Sequence, residues 1–171
     1  MKKKSKIYVD TKNEERLKKD AGFSKPSIIN LSSGLHSRGK INFDDIEFKK
    51  SYSGMSAYSQ SKLALILFTK HLAHKLEGTG VTANCVHPGF VSTNLGRDSG
   101  LLAGTFFKMF GKTPKEGAET SIYVASAKDL ETVTGEYFVD KKIAHSSKAS
   151  HDMDSAEKLW DLSMKYVHLE K

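Results

Sequence analysis

The stretch "SAYSQSKLALILFTKHLAHKLEGTGVTANCVHPG", residues 56–89, runs from a helical pattern through a glycine stop into a short apolar strand. From about Ser56 to Glu77, Tyr58, Lys62, Leu65/Ile66 and Thr69 recur at steps of three or four. Leu63, Leu67, Lys70/His71 and His74 form a neighbouring stripe, and this is the period of an α-helix. Gly78 and Gly80 are its stop signals. "VTANCVHPG", residues 81–89, reads as a strand closed by Pro88-Gly89. Upstream, "SIINLSS", residues 27–33, is another short apolar run, entered through Pro26, and reads as a buried strand. A strand, a crossover holding one helix and a second strand predict a parallel βαβ unit.

Working outward, residues 34–55 form a long connection with glycines, charges and no sustained period. "LLAGTFFKMF", residues 101–110, is apolar and short, and reads as a helical flap. Thr113, Pro114 and Glu116 spell a capping box at the start of "TPKEGAETSIYVASA". "GEYFVD", residues 135–140, reads as a third strand, and residues 155–167 as a terminal helix burying Leu159, Leu162 and Tyr166. Toward the other end, "ERLKKDAGF", residues 15–23, reads as the end of a helix. Residues 1–14 read as a frayed, lysine-rich head and 15–171 as one unit.

The 171 residues suit one core, and 38% hydrophobic with 27% charged residues is ordinary for a globular chain. The longest apolar run, "LALILF", is far short of the ~18–20 residues that span a bilayer. Behind the basic start "MKKKSKIYVDTKNEERLKKD" there is no apolar signal segment. The net charge of +7 is concentrated there, since residues 2–20 hold eight Lys/Arg and four Asp/Glu. Without interleaved aromatics or a nucleic-acid motif, that run reads as a solvated tail, and no nucleic-acid partner is expected. Cys85, the one cysteine, reads as a buried inert thiol. His71 and His74 lack a third ligand, so no metal site is expected, and His87 reads as a packing residue.

Tyr58 and Lys62 lie four apart on the predicted helix and so share a face. A phenol alone is a poor acid or base at neutral pH, and a neighbouring ammonium favours its ionised form. Such a pair can exchange a proton with a carbonyl or alcohol, although Tyr-x-x-x-Lys by itself is a common coincidence.

The ordered combination "IINLSS … YSQSK … VHPGFVST" resembles the short-chain dehydrogenase/reductase family. The 25-residue spacing from Ser33 to Tyr58, the insert "LHSRGKINFDDIEFKKSYSGM" and "LFTKHLAHKLEGTGVTANCVHPGFVSTNL" are similar to its retinol dehydrogenase-like branch. The resemblance extends over roughly residues 15–168. It implies a Rossmann-like α/β fold with a doubly wound parallel sheet. It implies an oxidoreductase acting on a small lipophilic alcohol or aldehyde, such as a retinoid, with NADP(H), NAD(H) remaining open. By position, Ser33 would hydrogen-bond the substrate oxygen and Ser32 would serve the turn. Tyr58 would pass the proton, and Lys62 would support that transfer and hold the nicotinamide ribose. Pro88, Gly89, Val91 and Thr93 would line the nicotinamide side.

The family's Gly-rich phosphate turn, of the Thr-Gly-x-x-x-Gly-x-Gly kind, does not occur in these residues, nor does its Asn-Asn-Ala-Gly-like segment. Counting back to the family's helical asparagine lands in "KKKSKIYVD", which does not match, and the surroundings of Asn13 do not support that role. The expectation is therefore a partial Rossmann-like sheet lacking its N-terminal nucleotide-binding half. It should bind cofactor weakly and expose a sheet edge open to self-association. The alternative is a catalytically inactive form acting as an interaction protein. Relatives of this branch are often attached to the endoplasmic reticulum through an N-terminal segment. With no such segment in these residues, the chain is expected in the cytoplasm or associated with that membrane.

Overall fold

The computed structural model describes residues 26–91 and 111–168. Within them lie strands β1 (Ser27–Leu31), β2 (Thr82–His87), β3 (Tyr137–Val139) and β4 (Lys142–Ile143). The helices are α1 (Gly54–Lys75), α2 (Pro114–Ser126) and α3 (Met153–Tyr166). The four strands form one sheet in the order β1-β2-β3-β4. β1 runs parallel to β2 from Ser27 opposite Thr82 to Leu31 opposite Val86, and β2 runs parallel to β3. The sheet carries helices on both faces, as a doubly wound α/β fold does.

Strand alternation decides which residue meets which helix. On β1, Asn30 faces α1, where its side-chain amide donates to Thr69 Oγ1 at 2.9 Å. Its neighbour Ile29 points the other way and packs with Val86, Val124 and Phe138 against α2. On α1, Leu63, Ile66 and Leu67 are almost wholly buried, each removal from water contributing about 1.5–3 kcal/mol. Ile66 meets Cys85 and Tyr137 of the sheet, whereas Leu63 and Leu67 meet Ala156 and Leu159 of α3. α1 is thus buried on two sides, between the sheet and α3, which is why its apolar residues spread beyond one stripe.

α1 begins at Gly54, with the Ser53 side chain capping it, and α2 begins with the predicted capping box of Thr113 and Glu116. The expected face of the terminal helix needs correction, and a fourth strand is added. In α3 the buried residues are Ala156, Leu159 and Trp160, while Tyr166 is 55% exposed. The face is turned by about one residue's step, ~100°, because Trp160 stacks on Phe68 at 5.3 Å between ring centres. β4 was not foreseen: it pairs antiparallel with β3 through Asp140-Lys141, both at positive φ (47° and 62°). That is a two-residue hairpin turn without its usual glycine signal.

β1 is an edge strand among the described residues, and it is not fully buried: Ile28 is 37% and Leu31 50% exposed. The amides of Ser32 and Thr82 make β1–β2 bonds to Val86 O and Pro26 O. By the two-residue alternation, the backbone groups of Ser27, Ile29 and Leu31 point away from β2. The expected head at 1–14, the helix end at 15–23, the flap at 101–110 and Thr93 lie outside the described residues.

Candidate active site

The candidate residues gather at the C-terminal ends of β1 and β2, where parallel α/β sheets bind ligands. Leaving β1, the chain passes Ser32 and turns at Ser33 into a 3₁₀ turn, Gly34–Arg38. The two serines have different surroundings. Ser32 is buried; its hydroxyl donates to the Lys62 carbonyl of α1 at 2.8 Å. Ser33 is half-buried, and its hydroxyl oxygen accepts only a 3.3 Å bond from the Leu35 amide. Ser32 therefore bolts the strand end to the helix, while the half-buried Ser33 hydroxyl keeps only its long contact with Leu35.

α1 brings Tyr58 and Lys62 to the same place. The Lys62 ammonium lies 5.5 Å from the centre of the Tyr58 ring and donates to Leu31 O at 3.1 Å. That carbonyl points away from β2, so the ammonium caps the last acceptor on that side of the strand. An ammonium has three donors, and one is engaged there. The Tyr58 hydroxyl has no hydrogen-bond partner among the described residues. In "YSQSK", Gln60 holds the long connection: its Oε1 accepts from Asn42 N and its Nε2 donates to Ile46 O. The same connection approaches α1 so closely at Gly39 that a Cβ there would stand 2.4 Å from Ser59 O.

The turn after β2 closes the site's other wall. Gly89 has φ +85°, a conformation that favours glycine, and its amide donates to His87 Nδ1 at 3.3 Å. Beyond it, Val91 bridges Lys112, whose amide donates to Phe90 O at 2.6 Å. The Lys112 ammonium in turn pairs with Asp140 at 2.5 Å, holding that carboxyl below its usual range. Burial pushes His87 below its usual imidazole value, opposed by the Asp140 carboxylate and aided by the Lys112 ammonium. Burial pushes the Cys85 thiol up to about 11, so it is neutral at ordinary pH. His71 packs on Trp160, His74 pairs with Glu77, and no three His, Cys, Asp or Glu groups among the described residues converge on a metal position. None of the described helices is long and apolar enough to cross a membrane.

Ser33, Tyr58, Lys62, Pro88, Gly89 and Val91 thus sit on three adjoining segments at one end of the sheet. His36, Gln60 and the Lys112–Asp140 pair were not singled out from the sequence, where a lone histidine in a loop or a glutamine on a helix carries no signal of its own.

A family model described as short chain dehydrogenase matches residues 26–101, a span that begins just before β1 and includes α1 and β2. Retinol dehydrogenase 14 of Homo sapiens is 49% identical over 155 residues, covering 86% of this chain and 46% of that protein. The chain belongs to the short-chain dehydrogenase/reductase family, in its retinol dehydrogenase-like branch. Retinol dehydrogenase 12 of Homo sapiens is 45% identical over 151 residues, 87% of this chain and 47% of that protein. Among solved structures, a putative uncharacterized protein from Mycobacterium paratuberculosis aligns with TM-score 0.63 and 28% identity, over 82% of this chain and 50% of its own. The chain spans about half the length of the curated relatives it matches.

Proposed function

We propose that this chain carries the proton-transfer part of a retinol dehydrogenase-like oxidoreductase, interconverting a lipophilic alcohol and its carbonyl with NADP(H). The observation that carries the reading is the convergence of Tyr58, Lys62 and the Ser33 turn. Lys62 ties α1 to the end of β1 through Leu31 O, two residues before Ser33. In this reading Ser33 donates a hydrogen bond to the substrate oxygen and Tyr58 delivers or removes the proton there. Lys62 keeps a positive charge beside the phenol.

The donor set suits the nicotinamide-ribose end of the cofactor. Two donors of Lys62 remain for a ribose diol, and Pro88, Gly89 and Val91 form an adjoining wall. Thr93 belongs to the same segment by resemblance. The nicotinamide, when bound, supplies or accepts the hydride. The Gly-rich turn that receives the pyrophosphate in the family is not among these residues. NADP(H) rather than NAD(H), and a retinoid or similar aldehyde as substrate, rest on the kinship with the retinol dehydrogenases.

The test is reduction of retinal with NADPH by the chain and by Tyr58→Phe. The expected result is slow turnover that falls by about 10²-fold or more in the variant. Turnover unaffected by the substitution removes Tyr58 from the mechanism. A second reading, a non-catalytic interaction protein, is favoured by the exposure of Ile28 and Leu31 on the edge strand. It predicts no turnover in either form.

A further inference from the structure

We propose that His36 is a positioning residue for Ser33, acting as the Nδ1–H tautomer between the serine turn and the segment after β4. As a contribution to catalysis this rests on the dehydrogenase reading. As a structural role it stands on the following contacts.

His36 is buried, at 4% exposure. Its Nε2 lies 3.0 Å from the amide nitrogen of Ser147. A backbone N–H can only donate, so Nε2 must present its lone pair. Its Nδ1 lies 2.7 Å from Ser33 O, which can only accept. One protonation state satisfies both contacts: neutral imidazole with its hydrogen on Nδ1. The His36 backbone amide donates to the same Ser33 carbonyl at 3.1 Å. The ring is held edge-on against Tyr137, with centroids 4.9 Å apart and planes at 61°.

These contacts join parts far apart in the chain. Ser33 leaves β1, Tyr137 lies in β3, and Ser147 follows β4, 111 residues from His36. The ring thereby fixes the Ser33 peptide relative to the sheet. The Ser33 side chain makes one weak contact of its own, to the Leu35 amide. Its hydroxyl direction is therefore set mainly by the backbone that His36 holds. A positioned donor loses effectiveness when it swings by about an ångström.

Two substitutions separate the two bonds. In His36→Asn, Nδ2 replaces Nδ1 and can donate to Ser33 O, but nothing reaches Ser147. In His36→Gln, Oε1 replaces Nε2 and can accept from Ser147, but the Ser33 bond is lost. Long-range nitrogen–proton NMR of the unsubstituted chain should find the imidazole hydrogen on Nδ1; finding it on Nε2 overturns the proposal. Amide exchange should speed up by about tenfold at Leu35 in His36→Gln and at Ser147 in His36→Asn. The same exchange pattern in both variants overturns it. In retinal reduction, His36→Gln should lower kcat about tenfold with the aldehyde KM within about threefold. On a Ser33→Ala background the same change should have no further effect, and a full additional loss there overturns the link to Ser33. A chain that turns over no substrate sinks the dehydrogenase reading, while the tautomer and the two exchange patterns still decide the role of His36.

Discussion

Replacing Ser32 and Ser33 separately with alanine should split stability from catalysis between two adjacent residues. The Ser32 hydroxyl is buried and donates at 2.8 Å to the Lys62 carbonyl. That carbonyl lies inside α1 and keeps its helical partner, so Ser32→Ala strands no acceptor and its cost is that of one net hydrogen bond, about 1 kcal/mol. For a chain of this length that lowers Tm by about 2–4 °C. Ser33→Ala removes only the 3.3 Å cap contact with the Leu35 amide, a long bond on a short 3₁₀ turn that belongs at the low end of cap energies, about 0.5 kcal/mol. On the proposed mechanism it also removes the donor to the substrate oxygen, a loss of about 10²–10³ in kcat. Thermal unfolding followed by circular dichroism reads the first effect, and NADPH-dependent retinal reduction reads the second. The reasoning is refuted if Ser33→Ala is the thermally weaker variant. It is refuted equally if Ser32→Ala loses 10²-fold in kcat with Tm unchanged.

Three further outcomes are expected. Burial raises the Cys85 thiol to about 11, so the unfolded chain releases this proton first. Stability should then fall as pH climbs past the ordinary thiol value and level off above about 11, by at most ~3 kcal/mol; urea titrations of the chain and of Cys85→Ala should converge at high pH, and parallel curves speak against it. Gly39→Ala should cost about 1–3 kcal/mol, since its Cβ would stand 2.4 Å from Ser59 O; an unchanged urea midpoint means that the turn is not pressed against α1. Finally, we propose that the β1 edge self-associates: sedimentation should show concentration-dependent association that Leu31→Lys reduces, and a monomer at all concentrations rejects it.

The sequence by itself determined the order of the first three strands and the three helices among the described residues, and the family they belong to. Helical spacing placed Tyr58 and Lys62 on one face, and "NLSS" before them and "HPG" after them marked the ends of two parallel strands. The capping box at Thr113 and Glu116 was readable because its pattern is local. The β3–β4 hairpin was not, since its positive-φ turn uses Asp140 and Lys141 in place of glycine. The α3 face was misjudged because Trp160 rotates it by stacking on a residue 92 positions away. The resemblance assigns Ser32 to the turn, but only the tertiary structure showed what holds it and that the Ser33 hydroxyl is left with one long contact. The hold depends on the Lys62 carbonyl lying over Ser32, a contact between positions 30 residues apart. It likewise assigned a task to His36, whose partners Ser33, Tyr137 and Ser147 meet only when the sheet is assembled. Local spacing and propensity act within a few residues and can be read along the chain. Hydrogen bonds and ring contacts between distant segments depend on the packing that brings those segments together.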